Sequence, residues 1–251
     1  NIEYDQYGNI TTLIGAENSQ SQRAFSQYTY DATNHQFVEG ITNHFSESVC
    51  NVFDYGTGNI LRSTGVNNHA IQYVYDEFNR VKEIWAPKEL ADITRGPTVR
   101  YSYILSTTTP SVAVSYHNTS ASNAGVSYSG QGCGLNNSLP TNQPMASQIR
   151  TATFVDGLGQ AIQVKTDRSV SSGANSNANT IHVSGITAKN QFGTTVVSRA
   201  DFNDPYTSIT ALSIDTSRVI ARTEMFDYMY RPTETQQLVE SDGSNYGFTV
   251  T

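Results

Sequence analysis

Six aspartates recur at the same place in a short signature, five directly after Tyr or Phe and one after Val155: Asp5, Asp31, Asp54, Asp76, Asp156 and Asp227. A carboxylate beside a ring suits carbohydrate recognition, since the ring stacks on a sugar face and the carboxylate accepts its hydroxyls. The same pairing has a structural use. An Asp side chain accepts backbone N–H groups just downstream and starts a chain reversal. The offset to the next Gly or Asn favours structure. Tyr4-Asp5-Gln6-Tyr7-Gly8, Tyr30-Asp31-Ala32-Thr33-Asn34 and Tyr75-Asp76-Glu77-Phe78-Asn79 all place that residue three positions after the Asp. In Phe53-Asp54-Tyr55-Gly56-Thr57-Gly58 it comes one position later, which predicts a loop one residue longer.

Other candidates for chemistry are weaker. Gly125-Val126-Ser127-Tyr128-Ser129-Gly130 approaches a nucleophile elbow, but its second Gly is one residue late and no helix pattern follows. Asp201-Phe202-Asn203-Asp204 is acidic enough to touch a cation. It lacks the Gly and terminal Glu of a calcium loop, and Pro205 favours a turn there. His35, His44, His69, His117 and His182 have no ligand spacing. No catalytic residue, metal site or cofactor is assigned. Cys50 and Cys133 are far apart and read as unpaired, buried thiols, with a disulfide as the alternative in an oxidising compartment.

The elements that carry these residues read as β-hairpins. The aromatic closes one strand, Asp opens the turn, and Gly8, Asn34, Gly58 and Asn79 supply the left-handed backbone of a type I turn with a Gly bulge. Ile10, Ile60 and Val81 restart the chain as strand. Steps of 26, 23 and 22 residues separate Asp5, Asp31, Asp54 and Asp76, which is the spacing of a structural repeat. The pattern resumes at Phe154-Val155-Asp156-Gly157-Leu158-Gly159, in degenerate form at Asn190-Gln191-Phe192-Gly193, and again at Phe226-Asp227-Tyr228-Met229-Tyr230. In that last copy Tyr230 stands where Gly or Asn is expected. Asp242-Gly243 is a further hairpin signal.

Composition agrees. Of 251 residues 37% are hydrophobic and 10% aromatic, with 15 Tyr, and no long 3.6-period apolar stripe occurs. The fold class is all-β, built of antiparallel hairpin repeats. Residues 1–86 read as repeat hairpins and 87–148 as a loop-rich insertion with strands near Val99–Leu105 and Val112–Tyr116. Residues 149–251 read as degenerate hairpins of the same continuous domain. Along 71–75, Ile71, Tyr73 and Tyr75 share one face, Gln72 and Val74 the other. A net charge of −7 gives no footprint for nucleic acid, and no apolar run predicts membrane insertion.

Tyr4-Asp5-x-x-Gly8-Asn9-Ile10 and Tyr75-Asp76-x-x-Asn79-Arg80-Val81 resemble the YD repeats of the Rhs family. Phe154 through Gln160 resembles a segment of the subgroup that includes the B components of bacterial insecticidal toxin complexes. Asp227 with Arg231-Pro232 matches a related run. The resemblance implies a strongly curved sheet, a section of a spiral β-shell (cocoon). Such a shell encloses and protects a toxic C-terminal polypeptide in a secreted or cell-surface bacterial protein. The implied partners are the rest of the shell, the enclosed polypeptide and other toxin-complex components. The family's self-cleaving segment matches nothing here, so no catalytic role is carried over. The alternative is a binding module that recognises glycans or a protein through its aromatic repeat face. On either reading the chain is expected to be a segment of a longer protein, with open strand edges prone to pairing.

Overall fold

Short alternating stretches satisfy their backbone groups by pairing with the next stretch across a turn, and the chain does so along its length. The computed structural model describes residues 1–106, 111–119, 132–136, 138–145, 147–172, 175–190, 192–204, 208–213, 220–241 and 246–250. Its first half runs β1 (Ile2–Tyr4), β2 (Ile10–Glu17), β3 (Arg23–Tyr30), β4 (Val38–Asn43), β5 (Ser48–Phe53), β6 (Ile60–Thr64), β7 (Ala70–Tyr75) and β8 (Val81–Trp85). A single helical turn, α1 (Pro87–Ala91), and a 3-10 turn (Ile93–Arg95) follow. Then come β9 (Val99–Ile104), β10 (Ser111–Asn118), β11 (Gln148–Val155), β12 (Ala161–Ser172) and β13 (Asn175–Val183). The last elements are β14 (Thr187–Lys189), β15 (Thr195–Arg199), β16 (Phe202–Asp204), β17 (Ile220–Phe226), β18 (Pro232–Ser241) and β19 (Tyr246–Val250).

Fourteen strands follow one another in hydrogen-bonded order, β1 through β13 and then β16. The other five form a second sheet in the order β14-β15-β17-β18-β19. The fold is all antiparallel β, as the sequence predicts. β18 pairs with β19 beside the Asp242-Gly243 signal, while residues 242–245 themselves lie outside the described residues. The elbow-like run at 125–130 also lies outside them. The run at 201–204 is not the expected turn. It forms β16, paired with β13 through His182 and Asn203, because Phe202 is packed against the core beside Val183.

Two compact units divide the chain: residues 1–100 with 117–148, and residues 101–116 with 149–251. In the first, Ala70 and Trp85 are fully buried and pack with Leu90 of α1. In the second, Val112, Val114, Ala152, Phe154, Ile181 and Val183 form the core.

The covered face of the first unit is the mixed one. Arg62 and Gln72 pair across β6 and β7, Gln72 pairs with Trp85, and all three are buried, whereas Ile71 on the other face is 37% exposed. Residues 132–136 return over this face, and Leu139 packs against its apolar cluster. The cysteines are bonded to each other, which corrects the expectation of two buried free thiols. Cys50 on β5 and Cys133 form a disulfide with Cα atoms 5.9 Å apart, and Cys133 is exposed. The return of residues 132–136 over β5 to β7 creates this proximity, and no local spacing signals it.

Candidate functional site

The repeat aspartates are the candidate site, and each is consumed by its own turn. Asp5 Oδ1 accepts the N–H groups of Tyr7 and Asn9 at 2.8 and 2.9 Å, while the Asp5 N–H donates to the Asn9 carbonyl. Asp76 holds Phe78 and Arg80 in the same way, Asp156 holds Leu158 and Gln160, and Asp227 holds Met229 and Arg231. The second carboxylate oxygen takes the side chain of Asn9, Arg80 or Arg231 in three of these turns. Asn190 makes the same turn with its amide oxygen. The fourth residue of each turn has left-handed backbone: Gly8 at φ 87°, Asn79 at 60°, Gly159 at 77° and Gly193 at 79°. Tyr230 adopts φ 60° as well, so Asp at the first position imposes the turn even on a bulky fourth residue.

Two copies differ in length. The Asp54 N–H reaches the Asn59 carbonyl, one residue further than elsewhere, and Gly58 takes φ 77°, which matches the predicted longer loop. Asp31 closes a longer loop still, its N–H donating to the Phe37 carbonyl at 3.0 Å. There the left-handed residue is His35, at φ 55°, and not Asn34. The Asn34 N–H instead donates to Asp31 Oδ2, with Thr33, while Gln36 and Phe37 donate to Oδ1.

The aromatic of the signature has a defined place. A register shift falls immediately before Tyr4, Tyr30, Phe53 and Tyr75, the residue preceding each Asp. This is the bulge that closes the turn. It pairs Tyr4 with Ile10, Phe53 with Ile60 and Tyr75 with Val81, so the recurring aliphatic is the aromatic's cross-strand partner. The phenol also links neighbouring copies. Tyr30 Oη donates to the Ile10 carbonyl at 3.1 Å, and Tyr75 Oη to the Ile60 carbonyl at 2.9 Å. Phe53 has no hydroxyl and stacks on Phe37 at 5.0 Å. Tyr7 stacks on His35 at 3.8 Å, and the Asn9 amide donates to the His35 carbonyl.

These contacts set the carboxyl pKa values. Burial pushes Asp5, Asp31 and Asp76 up, but the donated N–H groups, joined at Asp76 by the Arg80 side chain, outweigh it and hold all three below the usual range. At Asp54 and Asp227 the largest effect is itself a backbone N–H, from Gly56 and Arg231, in the same direction. The hydrogen bond to Glu39 pushes the Tyr55 phenol up to about 12.

Sequence patterns give no sign of a second arrangement. Each unit has a strand glutamine that holds a covering segment by its backbone. Gln72 Nε2 donates to the Asn136 carbonyl and its Oε1 accepts the Asn136 N–H, both at 3.0 Å. Gln163 does the same with Ser213, at 2.9 and 3.0 Å. Each glutamine thus stands in for a β-bridge partner. Beside each lies a buried cation aimed at the same segment. Arg62 Nη2 donates to the Gly132 carbonyl at 3.1 Å, and Lys165 Nζ to the Ser208 carbonyl at 3.4 Å. Burial pushes the Lys165 ammonium down, and Asp204 partly opposes this.

Other candidates are committed elsewhere. Asp201 Oδ1 accepts the Gly185 N–H, and Asp204 Oδ2 accepts the Ser213 hydroxyl. His182 Nδ1 lies 3.3 Å from Asn203 Oδ1. Among the described residues no three His, Cys, Asp or Glu side chains cluster as metal ligands, and no helix is long and apolar enough to cross a membrane.

No family model matches the chain, and no curated protein matches it in sequence. Solved structures do. TcdB2-TccC3 aligns with 96% of this chain at a TM-score of 0.60 and 10% identity. The chain shares the fold of toxin-complex components. The Photorhabdus luminescens Tc holotoxin pore with a TccC3 mutation aligns over 94% at a TM-score of 0.58 and 10% identity. TcdB2-TccC3 without its hypervariable C-terminal region aligns over 96% at 0.58 and 9% identity. The chain spans only 13% of the first of these and 15% of the other two.

Proposed function

We propose that this chain is a wall section of an Rhs/YD-repeat shell in a secreted, toxin-like bacterial protein, where it encloses and protects a C-terminal polypeptide. The observation that carries the reading is the coupling of turn to turn. Each repeat Asp is spent on its own turn, and the repeat phenols tie one copy to the next at Ile10 and Ile60. Hairpins linked in this way extend a sheet without any group reserved for a ligand. The likeness to TcdB2-TccC3 supplies the setting, and a hypervariable C-terminal region joined to a shared fold is the arrangement a container requires. Its partners are the rest of its own shell, the enclosed polypeptide and other toxin-complex components.

The chain has no chemistry of its own on this reading; its action is steric. A cleft of about 540 Å³ lies beside Gln163, Ser184, Gly185 and Asp201, but these groups are already hydrogen-bonded: Gln163 and Ser184 to backbone, and the Gly185 N–H to the Asp201 carboxylate. The glycan-binding alternative loses its acceptors for the same reason, since the repeat carboxylates are occupied.

Electron cryomicroscopy of the full-length parent tests the proposal. A closed wall containing this section, with internal density that disappears when the C-terminal region is deleted, is the expected result. An open repeat surface with no enclosed density overturns it.

A further inference from the structure

Residues 132–136 lie on a polar part of the first unit's covered face. Besides the Gln72 clasp, the Arg62 and Thr64 side chains donate to the Gly132 carbonyl, at 3.1 and 2.9 Å, and the Gly132 N–H donates to Asn68 Oδ1 at 3.2 Å. Hydrogen bonds of this kind exchange with water and each contributes little net stability. No residue of the segment belongs to the buried apolar cluster; Leu139, further along, packs against that cluster. The Cys50–Cys133 disulfide is therefore the strongest tie on these five residues, and Cys133 is exposed to reagents in solution.

The second unit provides an internal contrast. Its covering segment, residues 208–213, is held through apolar burial: Ile209 is 5% exposed within the Phe154 core, and Leu212 packs against that core. It contains no cysteine.

We propose that Cys50–Cys133 is a thiol-exchange site that latches residues 132–136, and that a dithiol reductant opens it without unfolding the sheet. A thiolate of the reductant attacks Cys133 Sγ, the S–S bond breaks, and Cys50 leaves as a thiolate that takes up a proton. The second thiol of the reagent then attacks the mixed disulfide and releases Cys133 as a thiol. The two electrons come from the reductant, which ends as its own disulfide. The inference rests on the strap geometry and stands apart from the container proposal.

The test is hydrogen exchange of the whole chain, read by mass spectrometry before and after dithiothreitol, with alkylation to count thiols. Two thiols should appear only after reduction. Exchange across 132–136 should then quicken by on the order of tenfold or more, while 208–213 stays unchanged. Reoxidation should restore protection. Unchanged exchange at 132–136 after complete reduction overturns the proposal, because the hydrogen bonds would then suffice. Loss of protection in both segments overturns it too, since the disulfide would be holding the fold and not a latch. Free thiols in the untreated protein do the same.

Discussion

The two units solve one problem by different means. Each must cover a sheet face on which polar strand residues are buried, Arg62 and Gln72 in the first, Gln163 and Lys165 in the second. Each uses a glutamine amide to give the covering backbone the pair of hydrogen bonds that a strand would give, which removes the penalty of burying that backbone unpaired. They differ in what holds the cover down. The second unit relies on apolar burial around Phe154, Ile181 and Ile209. The first has a smaller apolar cluster around Trp85 and adds a covalent tie across a sequence separation of 83. A disulfide compensates where the covered face offers little hydrophobic area.

Substitutions can separate the two. Phe154→Ala should cost the most, about 4 kcal/mol in denaturant unfolding from the cavity it leaves. Residues 208–213 should lose exchange protection while 132–136 keep theirs; equal loss would show that the covers are not independent. Replacing Cys50 and Cys133 together with serine should cost about 3 kcal/mol, mostly through a freer unfolded chain, with the pattern of protection loss reversed. Gln72→Leu and Gln163→Leu should each cost about 1–3 kcal/mol by stranding the Asn136 or Ser213 backbone. The Gln72 change should be the worse of the two, because Arg62 Nη1 also donates to its oxygen at 3.1 Å.

The turns should respond to acid. The carboxyls of Asp5, Asp54, Asp76 and Asp227 are held below the ordinary 3.8, so the stability they supply is complete above that pH and falls away as pH drops through each folded value. Asp31, held lowest, should protonate last. Thermal unfolding scans below pH 4 should show this loss, and Asp76→Asn should remove part of it. The smallest effect is expected of Tyr75→Phe, about 0.5–1 kcal/mol, since the partly exposed hydroxyl makes one bond, to the Ile60 carbonyl.

The repeat turns were legible in the sequence because their chemistry is local. Asp, the Gly or Asn three or four residues on, and the restarting aliphatic fall within one loop. The opposite ends of the hairpins were not. Asn18 and Asn43 build the same turn with their amide oxygens, but Ser21 and Ser46 fill the left-handed position, and serine there gives no signal. The covers were illegible for another reason. Gln163 and Lys165 alternate with Ile162 and Val164, which on a half-buried strand marks them as the solvent face. Only the return of residues 208–213 makes that face the interior. Cys133 reaches Cys50 through the same kind of long-range return. His35 displaced Asn34 from the left-handed position because the Asp31 loop is two residues longer than the Asp5 loop and one longer than the Asp54 loop, and its own N–H donors dictate the closure.

Limited proteolysis of the full-length parent, native and mildly denatured, read by mass spectrometry, is the measurement that bears hardest on the wall proposal. A distinct C-terminal polypeptide that resists digestion only while the repeat sheet is intact is the predicted result. Equal digestion of everything beyond the repeats in both states would contradict it.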